Sequence, residues 1–183
     1  SGLQLIGGWH RYARERNDTI IVREAADIER AKAEGNLGLI LHCQGTAIIE
    51  DELDFLDAYA AAGLRVVQLC FNRRNLIGDG AAERTDSGLS YFGIDVIKRL
   101  NALKMLIDCS HTGVRTTFDA IETSTAPVVI SHANAFQVHS NRRNVPDDLI
   151  RAIAQTGGLV GTVGFPPFVA DTNRPTLDQF IDD

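Results

Sequence analysis

"APVVISHANA", residues 126–135, runs from a proline through an unbroken apolar stretch into a polar Ser131–His132 pair. A second stretch, "MLIDCSHTG" at 105–113, has the same shape: an apolar run, then Ser110–His111, then a helical pattern. Continuous apolar runs of this length suit strands covered on both faces, and such strands belong to parallel sheets. Working outward, similar runs occur at 37–43 (LGLILHC), 65–71 (RVVQLCF) and 158–163 (GLVGTV). Helical spacing fills the gaps. Ile49, Leu53, Leu56 and Ala60 share one face; so do Ile94, Ile97 and Leu100; so do Val114, Thr117, Phe118 and Ile121; and so do Leu149, Ile150 and Ile153. Ser90, and Asn144 with Pro146, are start signals for the second and fourth of these helices. Gly63 and Gly157 are stop signals.

Strand and helix in alternation leave two architectures, a doubly wound sheet or a barrel. No GxGxxG follows the first strand, and polar residues gather at the carboxyl ends of successive strands, so the predicted fold is an α/β, TIM-type (β/α)8 barrel. A complete barrel takes about 250 residues. The 183 residues present about five βα units and read as part of one, with 1–183 forming a single domain. A composition that is 44% hydrophobic and 23% charged fits a folded chain with a core. The net charge of -6 excludes the basic surface that nucleic acid requires and points to a small-molecule partner. No apolar stretch reaches the roughly 18 residues of a membrane span, and the opening "SGLQLIGGWHRYARER" lacks the plan of a signal peptide. Cys43, Cys70 and Cys109 are an odd number without CxxC spacing, each at the end of a strand-like run. They read as buried thiols in a reducing compartment, which sets a cytoplasmic location as the expectation.

Neighbouring strands lie about 4.8 Å apart, so side chains leaving their carboxyl ends can aim at one point. His111 and His132 are so placed, and imidazole nitrogens bind zinc at about 2.0 to 2.1 Å. A single histidine there reads as a helix cap or core residue; a shared metal accounts for the matched pair. In His42-Cys43-Gln44-Gly45, period-two alternation puts His42 and Gln44 on one face with Cys43 opposite. Gln44 is a neutral amide and a poor ligand. His42, one pleat deeper, is expected to be structural. The polar loop "VHSNRRNVPDD" at 138–148 offers Arg142 and Arg143, whose planar guanidinium groups suit a carboxylate. "RRNLIGDGAAERTDSG" at 73–88 is a long loop suited to a lid or pocket wall, with Asp79, Glu83 and Asp86 as loop-fixing acids. His10, His139 and Trp9 read as structural.

"LIDCSH", "PVVISHANA", "NRRNVPDD" and "GLSYFGIDVIKRLNALKMLID" together resemble the membrane (renal) dipeptidase family, metal-dependent peptidases of the amidohydrolase superfamily, over about residues 24 to 165. The resemblance implies a TIM-like barrel holding two zinc ions joined by a hydroxide that attacks the amide carbonyl of a dipeptide. It also implies that His111 and His132 are ligands of one metal, that Arg143 receives the substrate carboxylate, and that Asp79 is the substrate-site aspartate of the long loop. Two positions depart from the family's pattern. Gln44 stands where a metal-bridging glutamate is expected, and an amide lacks the charge to hold two cations close, so one tightly bound metal is the expectation. Phe71 stands where an oxyanion-stabilising histidine is expected, which leaves Asn72 as the neighbouring hydrogen-bond donor and catalytic candidate. The family's first-strand His-x-Asp metal pair and its late proton-transfer aspartate fall outside residues 1–183. The expected function is a zinc-dependent, dipeptidase-like hydrolase of dipeptides or related small amides, compatible with a homodimer. The alternatives are a binding paralogue silenced through Gln44 and Phe71, and a sister amidohydrolase acting on a lactone or cyclic amide.

Overall fold

The computed structural model describes residues 2–182. In chain order the elements are α1 (Gly2–Arg14), β1 (Thr19–Ile21), α2 (Ala25–Glu34), β2 (Leu37–Leu39), β3 (Leu41–Gln44), α3 (Asp54–Ala61), β4 (Leu64–Gln68), α4 (Tyr91–Ala102), β5 (Leu106–Asp108), α5 (Val114–Thr123), β6 (Val128–Val129), α6 (Asp147–Gln155), α7 (Pro166–Val169) and α8 (Leu177–Ile181). β1 pairs with β2, and β3, β4, β5 and β6 form a second sheet in that order, every pair parallel. The order rises without reversal. A doubly wound sheet needs a switch point where the order turns back, so this succession is the winding of a barrel, laid out as an arc.

β2 and β3 are one extended run interrupted at Ile40. Between Leu41 and His42 the register shifts, Leu41 lying opposite Leu64 but His42 opposite Val66, which leaves Arg65 as an extra residue on β4. Its guanidinium is tied down by the carbonyls of Arg23 at 2.6 Å and Ala60 at 2.8 Å. The run at 158–163 was expected as a full strand and is reduced to a single bridge, Val160 with Ile130, supported by Ile130 N to Leu159 O at 2.9 Å and Gly161 N to Ile130 O at 2.8 Å. Glycine permits the close approach there: a Cβ on Gly161 would lie 2.4 Å from the Ser131 carbonyl oxygen.

The helix signals at Ser90, Gly63 and Gly157 act as the sequence indicates, whereas Asn144 does not cap α6 and gives its amide to His139 O and Phe168 O. Ser90 caps α4, its Oγ accepting from Gly93 N at 2.9 Å, and Gly63 and Gly157 follow α3 and α6 with φ of 103° and 79°. Pro146 itself takes the cap position of α6. α1, β1 and α2 lie outside the periodic runs. β1 has three residues, and α1 and α2 each bury a single side chain, Ile6 and Ala31.

Strand pairing sorts side chains into two layers. Cys43, Val67, Ile107 and Val128 are register partners and join Leu56, Ile97, Leu100, Ala120 and Ile153 in the apolar core. One residue further along, Gln44, Gln68 and Asp108 are register partners on the opposite face. This polar row lies just below the carboxyl ends of the strands. Among the described residues no helix is long and apolar enough to cross a membrane.

Candidate active site

The two Ser–His turns meet above the polar row. His111 Nε2 lies 2.9 Å from His132 Nε2, with ring centroids 4.9 Å apart. Each ring is held from behind: His111 Nδ1 is 2.8 Å from Asn72 Oδ1, and His132 Nδ1 is 2.7 Å from Ser131 Oγ. His111 and Asn72 both adopt left-handed backbone, with φ of 62° and 64°. For residues other than glycine this costs on the order of 1 to 3 kcal/mol each and persists where surrounding structure enforces it. The long loop supplies that enforcement, since Ala81 N donates to His111 O and Ala82 N to Asn72 O, both at 2.8 Å.

Asp108 lies beneath the histidines with no exposure. Its carboxylate accepts from Ser110 N at 2.9 Å, Ser110 Oγ at 2.8 Å, Ser131 N at 3.0 Å and Ser131 Oγ at 2.5 Å, and His42 Nε2 lies 3.2 Å away. Burial alone would raise the carboxyl's pKa, but the hydrogen bonds from His42, Ser131 and Ser110 prevail and hold it well below the usual carboxylate range. His42, expected as a structural residue, therefore faces the most buried acid of the site. Asp108 and Gln68 escape a reading based on histidine spacing. Their signal was an acid and an amide set inside the otherwise apolar runs MLIDC and RVVQLC.

Burial, together with the nearby Arg143 and His132, pushes His111 down to about 4, against an opposing pull from Asp108. His132 is also lowered, by burial first; Asp108 opposes, and Arg143 and His42 add to the lowering. Both rings are therefore neutral near neutral pH. The unfolded chain takes up protons below the ordinary value of 6.5, whereas folded His111 resists protonation down to about 4. Folding stability is expected to fall as pH drops through that window. Asp108 adds to the loss only below its own ordinary value of 3.8. Urea midpoints measured across the window check this, and a His111→Gln variant should flatten the slope.

Arg143 is 7% exposed. Its Nη2 donates to His132 O at 3.2 Å, and its guanidinium carbon lies 5.1 Å from the centre of the Phe168 ring. Burial brings its pKa down to about 10, so it stays charged near neutral pH. Among the described residues no carboxylate is in ion-pair range of it, and its Nε is buried without a partner. A buried guanidinium short of acceptors is a place for an anion. It borders a cleft of about 170 Å³ that Gly80, Thr112 and Asn144 also line. Arg142, the other half of the pair, is exposed.

The remaining predicted residues fall as follows. Asp79, expected at the substrate, is 1% exposed; Arg74 grips its carboxylate and Ser87 N donates to it at 2.7 Å, so it fastens the long loop. Asp86 fixes the first turn of α5 through Arg115 N at 2.7 Å and Thr116 Oγ at 2.7 Å. Asn72, expected as an oxyanion donor, presents its amide oxygen to His111 and so acts on that ring. Phe71 stacks on His111 with centroids 4.4 Å apart. Gln44 is exposed at the end of β3. His10 Nε2 lies 2.6 Å from the carbonyl oxygen of Ala62, a structural contact.

Among the described residues no three His, Cys, Asp or Glu side chains come together as a metal-holding group. Two imidazoles do converge, and two zinc–nitrogen bonds of about 2.0 to 2.1 Å can span their separation. The donor set fits part of a zinc coordination shell.

Comparison with known proteins gives matches along the whole chain. The family model for membrane dipeptidase (peptidase family M19) matches residues 1–183. An uncharacterized protein in the pqqA 5' region of Klebsiella pneumoniae is 38% identical over 171 residues, covering 86% of this chain and 63% of that protein. An uncharacterized dipeptidase of Schizosaccharomyces pombe is 32% identical over 173 residues, covering 91% and 42%. Among solved structures, an amidohydrolase from Pseudomonas aeruginosa superposes with a TM-score of 0.93 at 32% identity, over 98% of this chain and 55% of that one. A metallo peptidase from Rhodobacter sphaeroides, liganded with a phosphinate mimic of the dipeptide L-Ala-D-Ala, gives 0.89 at 27% identity, over 98% and 56%. The chain thus spans roughly half the length of the proteins it matches.

Proposed function

Because this chain belongs to the membrane dipeptidase family, peptidase family M19, we propose that the complete protein is a zinc-dependent hydrolase of dipeptides or related small amides. The observation that carries the reading is the facing pair of imidazole Nε2 atoms, 2.9 Å apart, beside a buried guanidinium that has no carboxylate partner among the described residues. His111 and His132 would hold zinc, with Asn72 orienting the first ring. Bound zinc would supply Lewis acidity to the amide carbonyl and to the attacking water. Arg143 receives the substrate's terminal carboxylate through its two-pronged donor set. The loop at 73–88, pinned by Asp79, walls the site and keeps His111 in place. A dipeptide mimic bound to the Rhodobacter relative supports the substrate class.

Gln44 and Phe71 favour a second reading, a binding paralogue with weakened or lost chemistry. Gln44 brings no charge to the metal side, and Phe71 covers one face of His111 with a ring that donates no hydrogen bond. One tightly bound zinc per chain and slow dipeptide turnover are expected. Gln44→Glu separates the readings: a rise in zinc stoichiometry and rate marks a weakened hydrolase, and no change in either marks a binder.

A further inference from the structure

The two candidate ligands are backed by oxygens of different character. Asn72 Oδ1 can only accept, so His111 carries its proton on Nδ1. Ser131 Oγ can donate or accept, and by itself leaves His132 free to take either tautomer. We propose that Asp108, acting through the Ser131 hydroxyl, fixes His132 as its Nδ1–H tautomer and so keeps the Nε2 lone pair available to a metal. Asp108 is a positioning residue.

The protons can be counted. Ser131 Oγ has one, and it is committed to Asp108 Oδ2 at 2.5 Å. What Ser131 then offers His132 is a lone pair, so Nδ1, 2.7 Å away, must be the donor. Ser110 Oγ, 3.2 Å from Ser131 Oγ, does not upset this, because each hydroxyl has a shorter bond to the Asp108 carboxylate. It spends its own proton on Asp108 Oδ1 at 2.8 Å and accepts from His132 N at 3.0 Å. Backbone donors from Ser110 and Ser131 and the ring of His42 complete the surroundings of the carboxylate. The outcome is two Nε2 lone pairs facing each other at 2.9 Å, a repulsive arrangement that a cation relieves. An amide in place of the carboxylate would reverse the chain. Its NH2 would donate to Ser131 Oγ, the hydroxyl would donate to His132 Nδ1, and the ring would carry its proton on Nε2, hydrogen-bonded to His111.

The purpose of this arrangement rests on the zinc reading, but the tautomer is a property of the metal-free protein, which allows the two to be tested apart. The complete protein, labelled with 15N in its histidine rings and stripped of metal, is examined by NMR at mildly alkaline pH. Wild-type His132 should show a pyrrole-type Nδ1 and a pyridine-type Nε2. Asp108→Asn should invert them, Ser131→Ala should let the Nε2–H form appear, and Ser131→Thr should restore the wild-type pattern. His111, held by Asn72, should stay unchanged throughout. Zinc affinity, from chelator competition, should weaken about 10- to 100-fold in the first two variants and recover in the third. A pyrrole-type Nδ1 of His132 that persists in both Asp108→Asn and Ser131→Ala, or that is missing from the wild type, would overturn the proposal. Should Asp108→Asn not fold, the two Ser131 variants decide. Failure of the wild type to bind zinc would sink the functional reading, while the metal-free spectra would still decide this inference.

Discussion

His132→Ala is expected to abolish dipeptide turnover and to weaken zinc binding by more than about 100-fold, since groups that merely support a metal ligand are worth roughly 10- to 100-fold. Only two imidazoles converge among the described residues, so the loss of one leaves His111 facing empty space with a lone pair and no companion. The ring of His132 is half-buried and its main contacts are with Ser131 and His111, so the fold should survive its removal. Titration with zinc, turnover of a dipeptide panel and thermal unfolding, measured together, separate loss of the site from loss of the fold. Turnover that persists at the wild-type rate would end the metal-centred reading.

Arg143→Met is expected to lower kcat/KM for dipeptides mainly through KM. Truncating one partner of a buried, hydrogen-bonded charge pair costs about 2 to 5 kcal/mol, which is roughly thirtyfold to a few thousandfold at about 1.4 kcal/mol per decade. A dipeptide with its carboxyl end amidated has nothing for the guanidinium to hold, and its slower hydrolysis should be indifferent to the substitution. The melting temperature should hold or rise, because among the described residues this buried charge has one side-chain hydrogen bond, to His132 O, and one ring, Phe168. A marked drop would mean that Arg143 is a packing strut. Arg143→Lys keeps a charge but not two parallel donors, and should fall between the wild type and Met.

The alternation of strand and helix was legible because continuous apolar runs and cap residues are local properties. β1 was not: it is as long as β5, but no Ser–His turn follows it to mark the run as a strand. Of the site, the paired Ser–His turns could be read because one arrangement occurs twice, and the structure brings both rings together. Arg143 could be singled out from Arg142 only by resemblance. Locally the pair reads as surface, and which member turns inward depends on the loop's path. The same limit applies to Asp79 and Asn72, whose residue types were noted but whose side chains go to Arg74 and to His111. His42 was placed on the correct face, yet its partner lies on β5, two strands away across β4, and that distance is set by register rather than by sequence.

The additional residue Arg65 has a consequence for that row. The register shift at this residue sets Gln44 level with Gln68 and Asp108; were β3 and β4 paired with Arg65 kept in the ladder and no shift, counting on from Leu41 opposite Leu64 would set Gln44 against Val67, which turns toward the helices. The parity of the two strands would then disagree, one pointing its amide inward where the other points a valine outward. An arginine anchored well below the chemistry thus keeps the extra residue out of the ladder, and the two strands run on in phase to their carboxyl ends.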